Sequence, residues 1–377
     1  MIRLCLLTTA LAWLVVFSSS HPAHAYDQEL GEVLAAICDK HNIPSLTVAA
    51  FRTDEMRTSA CSGVRKRGTN DAVAMSDRHP IGSCTKSMTA TLAAVLVEAG
   101  KLQWNMTIGD AWPKATEKNL HPALRNVTLN DLLAHRSGLP SDLSGAAWAS
   151  FFEEKKSPSQ QRRRMLNLLL NSKPEHTYGK HNYSNLGYVV AAAMMEKVTG
   201  NSYEGLMRRY VFKPLGMESA DFRTLEIAQK LTPPLIWGHM QDGTAIDPRS
   251  AGAENPSVYA PCGTVNLTIA DYVKYAQWHL KQKPTPLLKK QATVDHLHTG
   301  HVEIPALGGE YGCGWILLRR PLGKALHHGG SNTNSQALIW LFPEKDFGAI
   351  ALTNTGEGSG FLASDEAIGK LIIKYAH

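Results

Sequence analysis

Apolar and polar positions follow two periods along the chain, and the switches between them divide it. Leu30, Val33, Leu34, Ile37 and Cys38 fall at helical spacing and predict an amphipathic helix over residues 27–41. Ser45 to Phe51 and the stretch around Thr58 to Val64 then read as two strands joined by a polar turn. From Ser83 to about residue 260 the pattern is mostly helical, with loops at Pro113, Gly138-Leu139-Pro140, Pro158 and Pro174. Within it, Leu166 to Leu170 and Val189 to Val198 are apolar enough for core helices. The one sheet element expected there is a short hairpin at Gly243-Thr244-Ala245-Ile246. Beyond Gly263, Ala270 to Leu280 is helical, and strand patterns follow at Gly314 to Leu318, Ala325 to His328, Ser335 to Phe342 and Phe347 to Asn354. Pro343-Glu344-Lys345-Asp346 supplies a turn, and Ser364 to Tyr375 closes as a helix.

This order implies that both ends of the chain share one antiparallel sheet. The expected class is therefore α/β of the α+β kind. Residues 26–80 and 264–377 would form a discontinuous sheet domain, residues 81–263 a mostly helical one, and 26–377 together one unit. There are no internal repeats.

The first 25 residues stand apart. Arg3, an apolar run from Leu4 to Phe17 and Ala23-His24-Ala25 form an export leader with a small-residue cleavage site, giving residues 1–25 as signal peptide and a periplasmic or secreted mature protein. No later segment is apolar and long enough to span a bilayer, so no stable membrane insertion is expected after cleavage. The formal charge of +6 falls by one with Arg3, to +5, too mild for a nucleic-acid binder. The densest charge, Glu153-Glu154-Lys155-Lys156 with Arg162-Arg163-Arg164, is mixed in sign and reads as a solvated helix face. Five cysteines remain after cleavage, so at least one thiol is unpaired, and no spacing resembles a zinc site. Cys38 and Cys61 come into pairing range if the first helix packs on the second strand.

The chemistry centres on Gly82-Ser83-Cys84-Thr85-Lys86, which opens an apolar run ending at Gly100. A serine and a lysine three residues apart at the start of a helix share one face. There the helix field and the amine can activate the hydroxyl as a nucleophile. Two later stretches give this context: Tyr183-Ser184-Asn185 ahead of an apolar helical run, and His328-Gly329-Gly330-Ser331 before a strand.

S-x-x-K, Y-x-N and H-x-G in this order resemble the penicillin-recognising serine hydrolases, most nearly the class C β-lactamase-like branch with its DD-peptidases, D-aminopeptidases and esterases. Leu132-Leu133-Ala134-His135-Arg136-Ser137-Gly138-Leu139-Pro140, Glu196-Lys197-Val198-Thr199-Gly200, Pro214-Leu215-Gly216-Met217 and Tyr311-Gly312-Cys313-Gly314-Trp315 are similar to recurring family segments. The resemblance implies the β-lactamase/transpeptidase-like fold and an acyl-enzyme mechanism without cofactor or metal. Ser83 would be the nucleophile, with Lys86 and Tyr183 sharing the base role. Asn185 would hold Lys86 or a substrate carbonyl. The backbone N–H groups of Ser83 and Ser331 would form the oxyanion hole, with Gly329 and Gly330 admitting the substrate backbone.

The sequence departs from β-lactamases proper at the third motif. His328 and Gly329 stand where K-T-G has its lysine and threonine, which weakens carboxylate binding by roughly 10- to 100-fold. An ester or D-amino-acid peptide, cell-wall-derived in the latter case, therefore ranks ahead of a β-lactam. The alternative is a penicillin-binding receptor or scaffold that acylates and stalls, or never reacts. Lys197-Val198-Thr199-Gly200 reads as a capped helix end. His296, His298 and His301 could group as a metal cluster, but Asp295 is the one carboxylate near in sequence and the resembled mechanism needs no metal, so no metal is expected there. Oligomeric state is not legible.

Overall fold

The computed structural model describes residues 27–115, 119–152, 154–223, 225–230 and 235–377. The expected leader and Glu153 lie outside the described residues. Helix α1 (Gln28–His41) starts at Asp27, whose carboxylate accepts from Leu30 N, and it is followed by β1 (Ser45–Arg52) and β2 (Glu55–Gly63). A 3₁₀ turn at Gly82–Cys84 leads into α2 (Thr85–Glu98). The central region contributes α3 (Asn185–Thr199), closed by Gly200 at φ 69°, and then comes α4 (Ile269–Lys281). Strands β3 (Val302–Ile304), β4 (Gly309–Tyr311), β5 (Ile316–Arg320), β6 (Gly323–Ser331), β7 (Gln336–Phe342) and β8 (Phe347–Thr353) precede α5 (Ser359–Tyr375).

The eight strands form one antiparallel sheet in the order β2-β1-β8-β7-β6-β5-β4-β3. The N-terminal hairpin is locked to the C-terminal strand through Leu46↔Thr353 to Phe51↔Gly348. Alternation along β1 explains the two layers. Val48 and Ala50 meet α1 and α5 in one core, whereas Ala49 and Phe51 meet α2 and α4 in the other. Strand β8 is buried along its whole length, as a strand covered on both faces must be. Helix α2 is buried almost all round, its threonines included, and sits in the middle of the larger core, so its first turn is fixed from every side. Among the described residues no helix is long and apolar enough to cross a membrane.

Short elements differ from expectation. Strands β3 and β4 have three residues each, and His79–Pro80, Val265–Leu267 and Asp221–Phe222 form a small separate sheet. Two or three residues carry no readable period. The expected hairpin is present, pairing Gly238–His239 with Ala245–Ile246.

Two expectations are corrected. Helix α1 does pack on β2, with Cys38 Sγ toward Ser62 O, but no disulfide joins Cys38 to Cys61. Ala60 faces α1, so the next residue along the strand, Cys61, points to the opposite face, where its Sγ reaches Val73 O. Arg162 is not part of a solvated face: it is fully buried, bonded to Glu196 (2.7 Å) and to both oxygens of Glu204 (2.9 Å each). Arg162→Ala would leave two mostly buried carboxylates without their cation. It is expected to cost about 3–5 kcal/mol, read as a fall in the urea midpoint.

Candidate active site

The turn before α2 is shaped by a glycine. Gly82 has φ +47°, and a Cβ there would meet Ser331 N and O of β6 at 2.6 Å. The reciprocal contact lies at Gly330, whose Cβ would stand 2.9 Å from Ser83 N and 2.0 Å from Ile81 O. Two side-chain-free positions thus let the end of β6 touch the backbone of Ser83. Gly330→Ala is expected to push strand and turn apart. The resulting loss of acyl transfer should be about 10²–10³-fold, the scale of a lost oxyanion donor. Near-UV circular dichroism of the variant should stay native.

Ser83 is half-buried, while Lys86 is wholly buried. Lys86 Nζ donates to Ser83 Oγ (3.0 Å), Asn185 Oδ1 (2.7 Å) and Cys262 O (2.9 Å). Three donors thus find three acceptors, as a buried ammonium requires. The Tyr183 ring faces this nitrogen, with its centroid 4.7 Å away. Cys84, next in sequence, turns into the packing toward His328 O, and burial pushes its thiol up to about 12.

Asn185 opens α3, and its amide is used at both ends: Oδ1 accepts from Lys86, and Nδ2 donates to Asp142 Oδ2 (2.7 Å). Sequence reasoning missed Asp142, which follows Gly138-Leu139-Pro140-Ser141 in a loop. It also missed His135, named there only within a family-like segment. His135 is buried at φ +57°. Its Nδ1 accepts from Ser184 N (3.0 Å), its carbonyl from Asn182 N (2.7 Å), and its ring lies 4.2 Å from that of Tyr183. It is the brace that sets Tyr183 over Lys86. Burial, then the charge of Lys86, keeps the imidazole neutral.

His328 does not reach into the cleft as a free cation. It is buried, its Nδ1–H donates to Gly329 O (2.6 Å), and its Nε2 accepts from Tyr311 Oη (3.0 Å). One neutral tautomer satisfies both nitrogens. Burial first and Lys86 second push its pKa down to about 3. Beyond Ser331, the loop is tied by Asn332 to Ala253 O and Glu254, and by Asn334 to Gly252 O. Thr333 sits there at φ +86°, a strained conformation for a β-branched residue. Burial raises the Glu254 carboxyl to about 7.

The three histidines weighed as a metal cluster are not brought together. His298 turns inward to His279 (2.8 Å), and His296 bonds Asn130. His296 and His301 instead approach Cys313, their donor atoms within 4.8 Å of one another.

A family model described as Beta-lactamase matches residues 27–372. The chain is 27% identical over 380 residues to penicillin-binding protein 4 of Amycolatopsis lactamdurans, covering 92% of this chain and 90% of that protein. It is 24% identical over 346 residues to the unguisins hydrolase of Aspergillus campestris, covering 89% of this chain and 63% of that larger protein. The solved structure of a D-stereospecific amidohydrolase from Streptomyces superposes with TM-score 0.73 at 20% identity, covering 90% of this chain and 98% of that one. A match over nearly the whole described length, on a fold of this kind, means that the chain belongs to the β-lactamase family of serine hydrolases.

Proposed function

We propose that the protein forms an acyl-enzyme on Ser83 and releases it to water, acting on an ester or a D-amino-acid peptide or amide in preference to a β-lactam. The observation that carries the reading is the buried ammonium of Lys86, 3.0 Å from Ser83 Oγ and shared with Asn185. Because Lys86 already spends all three donors, its role is to hold Oγ and the charge that develops there, and the proton passes to Tyr183. Oγ bonds the carbonyl carbon, the Ser83 and Ser331 N–H groups hold the oxyanion, and the leaving group departs with the proton from Tyr183. Tyr183 then takes a proton from water, whose oxygen displaces Oγ, and passes that proton back to Oγ.

Substrate preference rests on His328, neutral and internally satisfied where the family's lysine would offer a charge to a carboxylate. The printed names of relatives, a penicillin-binding protein, a hydrolase and a D-stereospecific amidohydrolase, support peptide or amide substrates. The sequence of residues 1–25 supports export to the periplasm or beyond. The test is a panel of a chromogenic ester, a D-Ala-D-Ala peptide and a fluorescent penicillin, with the adduct located by peptide mass. Ester turnover with an acyl mass on the Ser83 peptide is expected. Stable penicillin labelling without turnover of any member would favour a stalled receptor, which the relative's name as a penicillin-binding protein keeps in view.

A further inference from the structure

The outer edge of the sheet carries a cluster that acyl transfer does not use. Sequence order suggested three histidines and no metal, but the fold turns His298 away to His279 and brings Cys313 in as the third donor. His296 lies near the end of the helix Gln291–Leu297, His301 just ahead of β3, and Cys313 just past β4; one donor atom from each falls within 4.8 Å of the others. Cys313 has no exposed surface, whereas both histidines are half-buried. The cluster is therefore sealed on the sulfur side and open on the imidazole side.

The imidazoles are already oriented as ligands. His296 Nε2 meets Asn130 Oδ1 (2.9 Å), and His301 Nε2 meets the carbonyl oxygen of His296 (3.0 Å). Both oxygens can only accept, so each Nε2 carries its ring's hydrogen and each Nδ1 keeps the lone pair. A ring whose one N–H is held by a carbonyl oxygen, leaving the other nitrogen bare, is the arrangement that fixes a metal-binding histidine. Cys313 Sγ also leans on Asn130 Oδ1 (3.6 Å), so one amide oxygen orients two of the three donors. Trp104 stacks on His296 at 4.1 Å, and the His301 backbone is tied on both sides, its N–H to Tyr311 O (2.8 Å) and its carbonyl to Arg136 Nη1 (3.0 Å). The charges that act on His301 are Arg136, Glu310 and Asp131, two carboxylates against one guanidinium, so a cation is not repelled.

We propose that His296, His301 and Cys313 bind one zinc-like divalent ion, with water or Asn130 Oδ1 in the fourth position. Two ring nitrogens and a thiolate suit a borderline-soft ion, whereas magnesium and calcium take oxygen ligands. Bonds of about 2.0–2.3 Å to a tetrahedral ion set its donors about 3.3–3.8 Å apart, so the half-buried rings close in by roughly 1 Å on binding. Cys313 gives its proton to solvent as the sulfur–metal bond forms. The ion then clips the helix Gln291–Leu297 to both ends of the β3–β4 hairpin. Tyr311, two residues before Cys313, bonds His328, so the clip braces the wall behind the third motif.

The experiment titrates the purified chain, stripped with EDTA and kept reduced, with Co²⁺, whose thiolate complexes absorb in the near-UV and whose tetrahedral complexes are coloured. One Co²⁺ per chain with a sulfur-to-cobalt band is expected, bleached by Zn²⁺, and Zn²⁺ should raise the melting temperature. Cys313→Ser should remove the band. His301→Gln should weaken Zn²⁺ binding at least about tenfold, the lower end of what disturbing a metal's surroundings costs, and should cancel the thermal shift. His301 is half-exposed, so this variant carries the test if Cys313→Ser does not fold. Absence of a sulfur-to-cobalt band in the wild type overturns the proposal, as does a band or a Zn²⁺ affinity unchanged in His301→Gln, which would place the ion at another thiol. Ser83→Ala should bind Co²⁺ as the wild type does, so failure here leaves the Ser83 reading untouched.

Discussion

Ser83→Ala is expected to lower turnover of any substrate by at least about 10⁴-fold while the protein stays folded. The fold prediction follows from what the hydroxyl touches. Ser83 sits half-exposed at the cleft, and its loss removes one of three acceptors from Lys86, leaving Asn185 Oδ1 and Cys262 O in place. Water can enter where Oγ was, so the ammonium is not stranded. The rate prediction follows from the chemistry: without Oγ no acyl bond can form, and the remaining donors can only polarise a carbonyl for direct attack by water. The measurement is kcat/KM with the chromogenic ester, alongside intact mass after incubation with a fluorescent penicillin. No adduct should form on the variant. Hydrolysis within tenfold of the wild type, or an adduct on another residue, would remove the acyl-enzyme mechanism.

How much of this was legible follows from the range of each interaction. The Ser83–Lys86 pair is local, three residues apart on one helical turn, and sequence spacing alone aligned the two. The meeting of Lys86 with Asn185, 99 residues on, carried no local signal and came into view only through the resemblance of three ordered motifs. Asp142 and His135 stayed hidden for different reasons. The first is an ordinary loop aspartate until Asn185 turns toward it, and the second depends on a left-handed backbone and on Ser184 reaching back across 49 residues. Arg162 was misread because a mixed charge run is usually solvated, and its burial is decided by Glu196 and Glu204 on other elements. The strand pattern was readable wherever alternation ran for five or more residues. It failed at β3, β4 and the small sheet, and a one-residue step decides that Cys61 turns away from Cys38.

Acidification from pH 7.5 to 5 should cost the native state several kcal/mol. His79, His298 and His328 are buried, and burial holds their pKa values at about 4, about 3 and about 3. His135 and His279 are driven well below the ordinary value by the same cause. In the unfolded chain each ring titrates near 6.5. Below that pH the unfolded state binds protons that the folded state refuses, so these groups favour folding fully only above about 6.5. Their contribution is lost as pH falls toward 3 or 4, at up to about 1.4 kcal/mol per ring per pH unit. Two pairings sharpen the effect. His328 already gives its one proton to Gly329 O and accepts from Tyr311, and His279 and His298 are hydrogen-bonded to each other at 2.8 Å, so a second proton on either would face a donor. With several rings acting together, the loss approaches the 5–15 kcal/mol that stabilises a typical domain. The urea midpoint should therefore fall steeply between pH 7 and 5, with a slope corresponding to several protons taken up on unfolding. A midpoint that stays level over that interval would show that these rings titrate normally in the folded protein, and with that the dry, neutral surroundings of His328 behind the cleft would be wrong.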